Sequence, residues 1–363
     1  PYTTLFRSNS MPNLEKRFQD IIDEYNRNDM AIESIFESLF PALEDGEDPT
    51  KTTMSDKTPK SDKEYINASS ATNTNTNKKD DPTKTSTLDS TDDKDKSDKN
   101  NPDEAKDKSA VMKKIEELVT LLKNILSSHL TDFRKSIGYF LNQNKQYQKE
   151  LQSLKGKKFK QGLILKNWKY DDSFYAKYKI AIIKSYKEYQ NVINTVYNAF
   201  RHGDATDDWR VEFKKLNENP YHSNLVTKIS EDIGIEAENV NELIAKSRTK
   251  YRGGLEDPEE KEVTEGDIQT YFRILETFNT RSQELNQLLD NLKRSVNTLN
   301  GMCNYIKGNL DDTDSELRKV YTKEIALISK NLNVFLTLTK FQITMNNERA
   351  VNANFVIRKA YGL

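Results

Sequence analysis

From Ile268 to Leu310, positions alternate at spacings of three and four: Ile268, Tyr271, Leu275, Phe278, Ser282, Leu285, Leu289, Leu292, Val296, Leu299, Cys303, Ile306 and Leu310. All but Ser282 are apolar or, like Cys303, small and weakly polar. That period returns side chains to one face of an α-helix, and at about 1.5 Å per residue it predicts a single helix roughly 64 Å long. Ile274, Leu288 and Met302 widen the seam. A wider seam favours a bundle over a two-stranded zipper and makes this helix the expected central strut.

The same period predicts further helices. One spans about 12–40 through Leu14, Phe18, Ile21, Tyr25, Asn28, Ile32, Ile35 and Leu39, with Pro12 in its first turn and Pro41 at its end. Asn28 lies on its seam, where a polar group fixes register. The competing reading breaks this segment into two short helices at Asn26–Asp29. A second helix is expected over about 110–154, with a stutter of spacing four from Leu118 to Leu130, and a third over about 173–201, closed by Gly203. Between 204 and 258 the pattern shortens to helices near 209–216, 225–233 and 236–250. A last helix is expected over about 315–358, with two adjoining seams that call for more than one neighbour.

These elements divide the chain into an N-terminal amphipathic helix or helix pair (11–43), a polar linker (44–108), a first long helical pair (109–203), a small helical insertion (204–263) and a long C-terminal helical hairpin (264–363). The expected fold class is all-α, an elongated bundle of long heptad-patterned helices arranged as antiparallel hairpins. In the linker Met54, Tyr65, Ile66 and Leu88 are the sizeable apolar groups amid Lys, Asp, Thr, Ser and Asn. Such a tract buries too little to offset the entropy of ordering, so it is expected to be a disordered tether with a typical span of roughly 45 Å. Residues 1–10 read as a non-native start, because Pro1 to Ser8 resemble a translated sequencing-adaptor string from environmental DNA.

Composition narrows the function. The chain is 35% hydrophobic and 31% charged, with a net charge of −1, so no global field draws it to nucleic acid or an anionic membrane. One cysteine excludes an internal disulfide framework and multi-cysteine metal sites. No apolar run is long enough to span a bilayer and no export signal is evident, which leads to the expectation of a soluble protein, cytoplasmic or in a virion.

Candidate chemistry is sparse. The Walker, G-x-S-x-G, H-E-x-x-H and G-x-G-x-x-G patterns are absent from the sequence, so neither an enzyme nor a cofactor is expected. Cys303 sits where a small core residue belongs. His202-Gly203-Asp204 with Asp207 and Asp208 reads as a helix end and cap before it reads as a metal site, and Asp311, Asp312, Asp314 and Glu316 lack the glycine and distal glutamate of a calcium loop. The connector is the most suggestive stretch: Lys155, Lys157, Lys158, Phe159, Lys160, Lys166, Trp168, Lys169 and Tyr170 combine phosphate-neutralising lysines with stacking rings. Its plainer reading is a solvated loop whose aromatics fold back onto the bundle.

The expected function is a non-enzymatic structural or assembly protein, with a lean to a viral or phage virion. It would act through helical contacts with other protein subunits, possibly copies of itself. Leu14, Phe18, Ile21, Tyr25, Ile32, Ile35 and Leu39 would supply the partner-helix contact. A nucleic-acid-associated protein using 155–170 and a membrane-acting helical or secretion component are the alternatives.

Overall fold

The computed structural model describes residues 11–44, 157–202, 209–309 and 315–362, together with part of 113–154. The linker expected over 45–108 lies outside the described residues, as do the His129 ring, the His202 ring and Gly203 to Asp208, and the Asp311–Asp314 cluster. In chain order the elements are α1 (Met11–Glu44), β1 (Ile164–Asn167), α2 (Asp172–His202), α3 (Trp209–Glu218), α4 (Pro220–Ser223), α5 (Leu225–Ile233), α6 (Val240–Tyr251), β2 (Glu259–Glu262), α7 (Glu265–Asn309) and α8 (Ser315–Ala360). Between 113 and 154 every described residue is helical, and Leu118, Leu122, Ile125 and Leu154 are buried.

The result is an elongated, almost entirely helical bundle. α7 has 45 residues and α8 has 46, each roughly 70 Å long. The described positions of the α7 seam are buried, and so are Ile274, Leu288 and Met302 beside it. On α2 the predicted face, Tyr178, Ile182, Tyr186, Tyr189, Ile193, Val196 and Phe200, is buried in full. One large core runs through the middle of the bundle. A second occupies one end, where Ile268, Tyr271 and Leu275 of α7 meet Ala353, Val356 and Ile357 of α8.

Two expectations are corrected. The central strut is α8 and not α7: α8 touches α7, α1, α2, α4 and α6, and every residue from Asn331 to Thr339 and from Phe341 to Ala350 is buried. Its apolar positions gave only two seams, but its remaining positions there are mostly Asn and Thr: Asn331, Asn333 and Thr344 donate to backbone carbonyls, while the Thr337 and Thr339 hydroxyls are buried without a hydrogen-bond partner. Second, the connector and the stretch before α7 pair as a short antiparallel ribbon, with Ile164 opposite Glu262 and Lys166 opposite Glu260. β2 reads Glu-Glu-Lys-Glu and has no strand propensity, so only its partner makes it a strand.

α1 is one continuous helix that runs past Pro41, with no break at Asn26–Asp29. The short helices pack on α2, and α4 and α6 also reach α8. Local chemistry sets their ends. Asn219 caps α4 through Tyr221 N, Asn239 caps α6 through Glu242 N at 2.9 Å, and Gly234 closes α5 in the left-handed region at φ 77°.

Candidate functional site: the seam that seats α1

α1 lies in a groove of the bundle formed by α8 and α6. Its buried stripe is Phe18, Ile21, Ile32 and Phe36, with Ile22, Tyr25 and Ile35 packed beside it. Phe18 meets the Phe341 ring edge-on at 5.6 Å, and the Arg248 guanidinium carbon sits 4.1 Å from the centroid of the Phe18 ring. Of the seven residues expected to meet a partner helix, Phe18, Ile21, Tyr25, Ile32 and Ile35 pack here against the chain's own bundle. The side chains of Leu14 and Leu39 lie outside the described residues.

Glutamates flank the stripe. At about 100° per residue a nine-residue step ends half a turn away, so Glu15 and Glu33 ride one edge of the apolar stripe and Glu24 the other. Each meets a cation. Glu15 pairs with Arg252 at 2.9 Å and with Arg248, Glu33 pairs with Lys330 at 3.1 Å, and Glu24 pairs with Lys340. Partial burial opposes ionisation of Glu15, but the two arginines hold its carboxyl below the usual range. Amides complete the seam: Asn241 Nδ2 donates to Asn26 Oδ1 at 3.0 Å, and Asn333 Nδ2 donates to the Tyr25 carbonyl at 3.4 Å. Asn28 is half-buried on the seam, but its Nδ2 has no hydrogen-bond partner, so no such bond ties register to it. Beside Glu24 a groove of about 430 Å³ opens between α1 and α8, lined by charges of both signs that include Arg17, Asp20 and Arg27.

The Glu15 end leads into a buried network. Arg252 Nε donates to Glu348 Oε1 at 2.8 Å, and the Tyr170 hydroxyl donates to the same oxygen at 3.0 Å. Arg252 also stacks over Trp168, 4.3 Å from the ring centroid, and Arg349 lies over Tyr170 while donating to Asp172 at 3.2 Å. Burial pushes the Glu348 carboxyl above the usual range, and the Arg252 charge draws it partly back. α1, the connector, α6 and α8 thus meet through one set of charges. Further along α8, His222 Nε2 and Glu324 Oε2 form a second buried contact at 2.6 Å, with Tyr189 stacked on the imidazole.

The connector aromatics fold inward. Trp168 and Tyr170 are buried, Phe159 is half-buried against the end core, and Lys157, Lys158, Lys160, Lys166 and Lys169 point outward. Lys155 lies outside the described residues. Rings and lysines therefore do not share one face, and Lys166 stands opposite Glu260. Cys303 is buried in the core, and burial pushes its thiol up to about 12. Glu316 pairs with Arg210 at 2.6 Å.

The seam residues that sequence reasoning missed are the charged ones: Glu15, Glu24, Glu33, Arg248, Arg252, Lys330, Lys340 and Glu348. A nine-residue glutamate step beside an apolar stripe was the available signal, and it cannot be told from an ordinary solvated flank without the facing cations. Among the described residues no group of His, Cys, Asp or Glu could hold a metal ion, and no helix is long and apolar enough to cross a membrane. No protein-family model, curated protein or solved structure matches this chain.

Proposed function

We propose that this chain is a non-enzymatic structural or assembly protein, a virion or other assembly component, whose long helices pack as antiparallel hairpins and engage protein subunits through helical contacts. The observation that carries the reading is the α1 seam. It has the make-up of a protein–protein interface, with an aromatic and aliphatic centre, arginine stacked on a ring and an ion-paired rim, yet it joins two parts of one chain. The apolar stripe of α1 joins the main core, and the helix's link to the rest through residues 45–112 suits capture and assembly.

Light scattering on the full chain and on residues 110–363 tests this. Self-association of the full chain, lost when α1 is removed, supports assembly through α1. If both stay monomeric at high concentration, self-assembly is out and the subunits engaged must be foreign.

A further inference from the structure

The groove under α1 presents Arg248, Arg252, Lys330 and Lys340, and each is paired with a glutamate of α1. Its pattern selects an amphipathic helix with an apolar stripe of the Phe18, Ile21, Ile32, Phe36 kind and carboxylates alternating between its edges every nine residues. We infer that this groove takes α1 from a second copy of the chain as well as its own, so that two copies join by exchanging α1. The inference rests on the assembly reading above and names its partner.

One observation favours a second copy over an unrelated helix, and two more allow the exchange. First, α1 itself carries the full complementary set. Second, residues 45–112 reach roughly 220 Å when fully extended, so the covalent link does not dictate which groove α1 enters. Third, the seam is not saturated: Asn28 Nδ2, Asn241 Oδ1 and Asn333 Oδ1 are buried without hydrogen-bond partners. That weakens the polar hold on α1, whose apolar stripe packs into the main core. Exchange is reciprocal, each α1 filling the other copy's groove, so the product is a closed dimer and not an open chain.

The test uses two full-length chains, one with Glu33→Cys and the other with Lys330→Cys, at positions whose side chains pair at 3.1 Å. They are mixed, held just below the unfolding midpoint so that α1 can open, cooled and joined with a short bismaleimide; the native Cys303 is buried and out of reach. Exchange predicts a cross-linked dimer in which mass spectrometry finds residue 33 of one chain joined to residue 330 of the other. While dimer is scarce, a tenfold rise in chain concentration should raise the dimer-to-monomer ratio about tenfold. A single chain carrying both cysteines is the companion measurement. If it links to itself while the mixture gives no 33-to-330 dimer at any concentration, the groove accepts only its own α1 and the inference falls. If it does not link to itself, α1 does not seat here and the inference falls as well. Self-association in light scattering without the 33-to-330 link leaves the assembly reading standing and removes exchange.

Discussion

Glu348 ties the N-terminal helix, the connector and the central helix to one carboxylate. Its side chain is fully buried, and Arg252 is nearly so. Removing the carboxylate leaves the buried Arg252 with Glu15 as its counter-charge, so Glu348→Ala is expected to cost about 2–3 kcal/mol in chemical denaturation, less than a wholly stranded buried charge would. The pH dependence has a definite sign. An unfolded glutamate titrates near 4.3 or so, and burial raises the folded value of Glu348, so its contribution to stability is complete below the unfolded value and is lost as pH rises through the folded one. Glu15 runs the other way. Arg248 and Arg252, acting against partial burial, lower its folded value, so its contribution is present above the unfolded value and is lost as pH falls through the folded one. Urea midpoints measured from strongly to weakly acidic pH should therefore show Glu348→Gln gaining on the wild type as pH rises, and Glu15→Gln losing ground over the same range. Neither carboxylate differs in sequence from a surface glutamate, because the arginines that set its behaviour lie more than ninety positions away in the chain.

At the level of elements, the periodic helices were legible and the ribbon was not. α2 and α7 carry their apolar residues on one face at regular spacing, and a regular face is what a bundle buries. The ribbon depends on pairing across the chain, and β2, with four charged residues, exists because β1 lies beside it. The turn that delivers the chain from α6 towards β2 supplies a prediction. Gly253 has φ 79°, and a Cβ there would stand 2.5 Å from the Lys169 carbonyl oxygen. Gly254 has φ 77° with no atom within 4 Å of the same point. Gly254→Ala is expected to cost about 1–2 kcal/mol for the left-handed backbone alone, and Gly253→Ala clearly more, since backbone must also move. Thermal unfolding of the two variants checks the order. For α1, Phe18→Ala removes the ring between Phe341 and Arg248 and is expected to weaken seating by about 3–5 kcal/mol. Hydrogen exchange should then speed up across α1 well before it does in α2 or α7.

At the scale of the whole molecule, stability is divided unequally. Apolar packing around α8 holds the centre and takes in the Phe18, Ile21, Ile32 and Phe36 stripe of α1, to which α1 adds a rim of partly exposed ion pairs such as Glu33–Lys330. Added salt screens such pairs and leaves apolar burial in place. Raising sodium chloride from about 0.1 M to 1 M is expected to speed hydrogen exchange in α1 with little change in α7. Equal acceleration in both would show that α1 is an inseparable part of the core. Alkali should act on the centre as well as on the seam, where burial also raises the Tyr25 phenol above its ordinary value. Tyr178, Tyr189 and Tyr251 are buried, and burial raises each phenol well above its ordinary value, so their contribution is complete below the unfolded tyrosine value near 10 or so and is lost as pH rises beyond it. Tyrosinate absorbance should then rise together with global unfolding and not before it.

The sequence by itself determined the helical class, the elongated shape, the buried faces of α2 and α7 and the apolar stripe of α1. Each of these follows from a local period, and a period is visible in one dimension. The tertiary structure decided that α8 and not α7 lies at the centre. A helix made central by Asn and Thr positions announces itself only weakly, by the scarcity of charge between Lys330 and Arg358, where Lys340, Glu348 and Arg349 are the charged residues. The structure also decided where Glu15, Glu24 and Glu33 find their cations. Complementarity is a relation between two surfaces, and it came into view when folding placed α1 against α6 and α8.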